Sequence, residues 1–208
     1  MAMPKLAHVP AVHDKLKALG ILALNGMFDE MDAVGVLRQA ATDVLPGDLA
    51  IVSSFGADSA VLLHLVAQID RDTPVLFLDT GKHFPETIGY RDILIDRLGL
   101  TNVQTITPAI LDLNQADPEG TLWQRDTDAC CEIRKVRPLD AALKNYDAWI
   151  SGRKRWHGGG RSDLPLVEEE GSKVKINPLA DWDSEKIEEY YMNFGLPRHP
   201  LFYDGYPS

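Results

Sequence analysis

Two stretches of this 208-residue chain combine residue types that do chemistry, and a third supplies charge to them. In the first, Ser53-Ser54-Phe55-Gly56-Ala57-Asp58-Ser59 follows a short apolar run and precedes leucines and valines at helical spacing. Small hydroxyl residues and a glycine at such a junction let backbone N–H groups approach a phosphate or sulfate, and the dipole of the following helix favours the negative charge. No lysine stands between Ser53 and Asp70, so the loop is not of the Gly-Lys-Ser/Thr phosphate-binding type. An ordinary turn, with Asp58 favouring the helix start, is the alternative reading.

The second stretch is Cys130-Cys131-Glu132-Ile133-Arg134-Lys135-Val136-Arg137, which holds the only two cysteines of the chain. Adjacent trans residues place their Cα atoms about 3.8 Å apart, short of the roughly 4.4 Å at which ordinary disulfides begin. Metal or cluster ligation remains, or two reduced structural thiols. Three neighbouring cations should favour the thiolate, the form that ligates iron. A basic helix face with two buried thiols is the other reading.

The third is Arg153-Lys154-Arg155-Trp156-His157-Gly158-Gly159-Gly160-Arg161, a flexible basic loop that leaves the short strand Ala148 to Gly152. Four cations among glycines at a strand end suit an anionic ligand, and a solvated charge run is the alternative.

The elements that must position these residues can be read from periodicity. Leu49 to Ser53, Val75 to Asp79, Asn102 to Thr107, Ala148 to Gly152 and Val174 to Leu179 read as buried strands alternating with helix-length segments, which predicts βαβ units and a parallel sheet of the α/β class. Ligands on such sheets bind beyond the carboxyl ends of the strands, where Asp79, Thr80 and Gly81 would sit beside the Ser53 loop. Asp79 as a cap for the helix opened by Pro85 is the alternative. That helix should end at Gly99.

Residues 1–47 read as a helical lead-in, with a short amphipathic piece at Asp14 to Leu19 and a helix from Asp29 to Asp43 bearing Met31, Val34 and Leu37 on one face. Residues 108–128 read as an irregular polar loop, turning at Asp117-Pro118-Glu119-Gly120 and held by Trp123. Near the end, Ile187, Tyr190, Tyr191 and Phe194 form a core stripe on a helix opened by Asp183.

Composition bounds the function. At 45% hydrophobic the chain suits a single domain with its own core. Twenty-one basic against 31 acidic side chains, a net charge of −10, argue against nucleic acid or an anionic membrane as partner. An anionic ligand must then meet a local basic cluster. No apolar run approaches the roughly 18 residues of a membrane span, and the first residues lack a signal-peptide core, which predicts a cytoplasmic protein.

Ser54 to Ser59 resembles the Ser-Gly-Gly-x-Asp-Ser loop of the PP-loop nucleotide-binding superfamily, with Phe55 where the first glycine usually stands. Within it, Ser-Ser-Phe-Gly-x-x-Ser-Ala resembles the adenylyl-sulfate and phosphoadenylyl-sulfate reductases. Leu78-Asp79-Thr80-Gly81 followed by His83, Pro85, Glu86 and Thr87 is similar to their nucleoside-pocket motif, and Gly152-x-x-Arg155-x-x-x-Gly159-Gly160-Arg161 to their substrate loop, apart from Trp156-His157. Cys-Cys-x-x-Arg-Lys-Val-x-Pro-Leu resembles the paired-cysteine motif of the iron-sulfur members. The likeness runs from about Val44 to Ser208.

This resemblance implies a Rossmann-like fold of the adenine nucleotide alpha hydrolase type, mostly parallel, with helices on both faces and residues 48–208 as the nucleotide-binding reductase domain. It implies reduction of adenylyl sulfate to sulfite and AMP for cysteine biosynthesis, with thioredoxin or a similar thiol as reductant. Ser53, Ser54, Phe55, Gly56, Asp58, Ser59, Asp79, Thr80 and Gly81 would hold the nucleotide. Arg134, Lys135, Arg153, Arg155, Gly159 and Arg161 would address the phosphosulfate. Cys130 and Cys131 would be two of four ligands to a 4Fe-4S cluster. In iron-sulfur members a Cys-x-x-Cys pair and a tail bearing the cysteine nucleophile come beyond the point matching Ser208, so the sequence reads as truncated or partial. Phosphoadenylyl-sulfate reduction, an ATP-dependent PP-loop adenylating transferase and a catalytically dead nucleotide-binding module are the rivals, and a homo-oligomer is left open.

Overall fold

The computed structural model describes residues 11–158 and 162–205. Helix α1 (Ala11–Phe28) is kinked at Gly20, whose φ of 71° is non-helical. It is followed by α2 (Ala33–Gln39), which runs into a π-helical turn at Ala40–Val44. The expected start of this second helix at Asp29 is corrected to Asp32, because the Asp32 carboxylate accepts from the Gly35 N–H and caps the helix there. Met31, expected on the buried face, is therefore 36% exposed.

Next come β1 (Leu49–Ser53), α3 (Ser59–Ala67), β2 (Val75–Leu78), α4 (Pro85–Leu98) and β3 (Val103–Ile106). Helix α3 is buried at Ala60, Val61, Leu62, Leu63, Leu65 and Val66, which is why its sequence shows no polar stripe. Helix α4 opens on Pro85 and closes at Gly99 in the left-handed region, where the N–H groups of Gly99 and Leu100 take the last free carbonyls.

Residues 108–128 are not an irregular loop. They hold α5 (Ile110–Ala116), α6 (Leu122–Arg125) and the start of α7 (Thr127–Cys131), helices too short for a periodic signal. A π-helical turn at Glu132–Val136 joins α7 to α8 (Arg137–Leu143). The chain then forms β4 (Ala148–Ile150), β5 (Val167–Glu170), β6 (Lys173–Ile176) and α9 (Ser184–Phe194). Strand β5 carries three glutamates, residues depleted in strands, and the sequence did not reveal it. Its hairpin with β6 turns on Gly171, at φ 65°, and Ser172.

The sheet has the order β3-β2-β1-β4-β6-β5, parallel throughout except for the β5–β6 hairpin. The strand order reverses between β1 and β4, paired at Leu49 with Ala148 and Ile51 with Ile150, and that reversal opens a crevice beyond their carboxyl ends. Alternate residues divide between two cores. Ile51, Phe77, Ile150 and Ile176 face the larger one, filled by α1, α2, α3, α4 and α9. Ala50, Leu76 and Trp149 face a smaller one under Leu143 of α8. Helices thus cover both faces, as the α/β reading requires. Leu24, Phe28, Val36 and Leu37 of the lead-in belong to the main core, and the Asn25 side chain makes two hydrogen bonds to Val167, closing the β5 edge.

On α9, Ile187 and Tyr191 are buried, but Phe194 of the expected core stripe is 47% exposed, packing on His64 and Tyr190 at the rim. Among the described residues no helix is long and apolar enough to cross a membrane.

Candidate functional site

Beyond β1 the backbone bends sharply. Ser53 Oγ accepts from the Phe55 N–H at 3.1 Å, and Phe55 takes a φ of 52°, a left-handed conformation that bulky residues rarely hold. Its ring compensates by burying completely against Phe77, edge to face at 5.4 Å between centroids. Phe55 therefore belongs to the core and contributes only backbone to the loop. Gly56 O accepts from the Ser59 N–H, and Tyr191 Oη donates to Ala57 O, fixing the loop on α9.

This loop forms one wall of a cavity of about 290 Å³, lined by Ser53, Ser54, Gly56, Asp58 and Ser59. The opposite wall is the chain leaving β4, with Gly152, Arg153, Lys154 and His157. Lys154 is 2% exposed, and its Nζ lies 2.9 Å from Asp58 Oδ2; His157 Nε2 lies 3.4 Å from the same oxygen. Asp58 makes no capping hydrogen bond to α3. The helix-start alternative for this residue is thereby set aside: its carboxylate faces the basic wall instead. Arg153 stands 3.8 Å from Glu168. Ser151 Oγ donates to the fully buried Asn177 at 2.5 Å, holding the end of β4 in place.

A second cavity, about 940 Å³, adjoins the first at Ser54. Cys130 and Cys131 line it together with Thr80, Arg134 and Lys135. Cys130 is 8% exposed and packs on Leu122 and Ile133, while Cys131 is half-buried. Asp126 accepts from the Ala129 N–H and so sets the start of the short helix that presents both thiols. The π-helical turn that follows brings Arg134 and Lys135 to the same wall, a distortion often found at working sites.

Arg134 is not a free cation in this wall. Its Nη1 donates to Thr80 O at 2.7 Å and its Nη2 to Asp117 Oδ2 at 2.6 Å, and the side chain is only 8% exposed. The Arg134 hydrogen bond beside it holds the Asp117 carboxyl below its ordinary value, a further hydrogen bond from Leu122 N–H adding to the effect. Of the three cations after the cysteines, Arg137 turns away to Glu132 and Asp112, at 3.2 and 3.4 Å. The expected crowding of three charges on the thiols is reduced to Arg134 and Lys135.

Several sequence-predicted residues stand elsewhere. Asp79 lines neither cavity; Oδ1 accepts from the Gly81 N–H at 2.9 Å in a local turn, and the cap position of α4 falls to Phe84, so the capping alternative fails as well. Gly81 shapes that turn at φ 68°. Arg155 lines neither cavity, because its guanidinium pairs with Asp181 and Leu164 O. Trp123 is no buried anchor: it is 52% exposed at the rim of the larger cavity, and Leu122 fills the core position instead. Gly159 and Arg161 lie outside the described residues.

Sequence reasoning did not single out Lys154, His157 or Asp117. Lys154 was one of a run of like charges, and only the path of the chain decides which of them turns inward.

Comparison with known proteins bears on the family and the fold. The phosphoadenosine phosphosulfate reductase domain matches residues 48–208. A protein of Mesorhizobium japonicum named adenosine 5′-phosphosulfate reductase is 44% identical over 211 residues, covering 100% of this chain and 82% of the relative. One of Xanthomonas oryzae pv. oryzae, named phosphoadenosine 5′-phosphosulfate reductase, is 40% identical over 212 residues, covering 100% of this chain and 85% of its own length. In fold, the chain is similar to a phosphoadenylyl-sulfate reductase from Candida auris solved with phosphate, with a TM-score of 0.76 at 24% identity over 99% of this chain and 96% of that one. With a family match over most of its length and relatives at 40% and 44% identity across all of it, the chain belongs to the phosphoadenosine phosphosulfate reductase domain family.

Proposed function

We propose that this protein is a sulfonucleotide reductase whose substrate is adenylyl sulfate, reduced to sulfite with release of AMP. The observation that carries the reading is the buried Lys154 facing the Ser53–Ser59 loop across a polar cavity that opens, at Ser54, into the cavity of the cysteine pair. The loop N–H groups and Lys154 hold the phosphate, and Arg153, His157 and Lys135 surround the anionic end. A thiolate attacks the sulfur, the S–O bond to the phosphate breaks, and AMP leaves with that electron pair. The resulting thiosulfonate is resolved by a second thiol, of the thioredoxin kind, which leaves a disulfide and sulfite. This chain's part is to orient the sulfur and neutralise the leaving phosphate.

The relatives named adenosine 5′-phosphosulfate reductase, at 44% and 49% identity, support the substrate lacking a 3′-phosphate. The second reading, phosphoadenylyl sulfate, rests on relatives at 40% identity that carry that name. Calorimetry with the two nucleotides separates them: adenylyl sulfate should bind at least tenfold more tightly, and the reverse order would overturn the choice.

The cysteine pair fits half of a four-cysteine iron-sulfur site. Two soft donors stand side by side on one cavity wall, and the chain contains no other cysteine. Among the described residues no group of three His, Cys, Asp or Glu side chains is placed to hold a metal ion. Cys130 and Cys131 would hold the cluster as two of its four ligands, and when bound it supplies a rigid, charged wall beside the reacting sulfur.

A further inference from the structure

Asp117 has no solvent-exposed side-chain surface, yet it lies in a turn between two short helices. Both its oxygens are used: Oδ1 accepts from the Leu122 N–H at 2.8 Å and Oδ2 from Arg134 Nη2 at 2.6 Å. Arg134 reaches on to Thr80 O, beyond the end of β2. A second tie runs in parallel, from Lys82 Nζ to Gly120 O at 2.6 Å. The turn at Asp117 to Gly120 is thus fastened to residues 80–82 at two points, and through Arg134 to the helical segment that begins with Cys130 and Cys131. The third guanidinium nitrogen, Arg134 Nε, is shielded from solvent and has no partner among the described residues.

We propose that Asp117 is a positioning residue of the reductase: by holding Arg134 it sets the spacing between the Cys130–Cys131 wall and the Thr80 wall of the larger cavity. The inference rests on the proposed function for its substrate, but not for the clamp itself. Asp117 lines neither cavity; it acts through Arg134 and, by its other oxygen, through the Leu122 N–H. A planar guanidinium can bridge a carbonyl and a carboxylate at once, which a lysine ammonium on a flexible stem does poorly. The spacing of the cavity walls therefore depends on one bidentate side chain and the carboxylate behind it, with the Lys82–Gly120 tie alongside.

The test uses the 208-residue protein, whose only thiols are Cys130 and Cys131, so that iodoacetamide alkylation of the metal-free form reads that wall alone. In D117N the amide oxygen can still accept from Leu122 N–H, while the charge-assisted bond to Arg134 is lost. R134K is the second variant, leaving the Asp117–Leu122 bond in place should D117N fail to fold. D183A removes the side chain that caps α9 and controls for general loosening. The expected result is alkylation at least threefold faster in D117N and R134K, adenylyl sulfate bound about tenfold more weakly, and both near wild type in D183A, with D117E recovering part of the loss. Wild-type alkylation rates in folded D117N or R134K, or an equal rise in D183A, would overturn the clamp. Wild-type protein that does not bind adenylyl sulfate would instead overturn the proposed function, and the alkylation result would still decide the clamp.

Discussion

Lys154 Nζ sits 2.9 Å from Asp58 Oδ2, joining the chain that leaves β4 to the loop that leaves β1 across the crevice where the sheet reverses its order. The pair is almost fully shielded, with side-chain exposures of 2% and 12%. A cation kept out of water beside a carboxylate retains attraction for a further anion. K154M should therefore weaken adenylyl sulfate by about 10- to 100-fold, from the roughly 1.5–3 kcal/mol of a charge-assisted contact. R155A should change affinity less than about twofold, because Arg155 is occupied by Asp181 and Leu164 O. Calorimetry on both variants checks the contrast, and equal losses would return Arg155 to the site.

Phe55 sets two effects against each other. Placing glycine there relieves left-handed strain of about 1–2 kcal/mol. It also deletes a fully buried aromatic ring, at about 3–5 kcal/mol. Packing should win. F55G is expected to lose about 2–3 kcal/mol in urea unfolding, and a stabilised F55G would mean that the Phe77 contact contributes little.

Acid sensitivity should come in two steps. In His199 the Nδ1 accepts from the Leu201 N–H, so the proton sits on Nε2 and is given to Thr87 Oγ1 at 3.1 Å. Burial lowers its pKa from the ordinary 6.5, and burial lowers that of His64 as well. A folded-state pKa below the unfolded one means the unfolded chain binds protons first. Stability is then full above about pH 6.5 and declines as pH falls through the lowered values. Asp117, lowered mainly by the Arg134 hydrogen bond, adds a second loss only below its ordinary 3.8. Urea midpoints between pH 8 and 3 should show the first step reduced in H199N and H64F and the second absent in D117N. A first step of wild-type size in both histidine variants would remove them as its source.

If Cys130 and Cys131 serve as iron ligands, as proposed, the 208-residue chain should bind adenylyl sulfate without releasing sulfite, even with excess reduced thioredoxin, because it holds no other thiol. Sulfite released by this chain, and lost in C130S or C131S, would give the attacking role to the pair itself.

The sequence by itself determined the α/β class, the strand–loop–helix unit at Leu49 to Ala67, the left-handed stop at Gly99 and the two cysteines as neighbours. Each is a local property: apolar runs, glycine tolerance and covalent adjacency act within a few residues. It also placed the Ser53–Ser59 loop at a strand end, beside the crevice where the strand order of the sheet reverses.

Only the tertiary structure decided which charges serve the site. Lys154 turns inward and Arg155 outward though they are neighbours, because Asp58 lies 96 positions away on one side and Asp181 on the other. Arg134 became a clamp when Asp117 reached it from a turn that looked like surface, and Trp123 stayed exposed because Leu122 took the core position. Charge is legible in a sequence, but burial and partner are set by contacts between distant segments, and those decide whether a cation binds a ligand or holds the wall beside it.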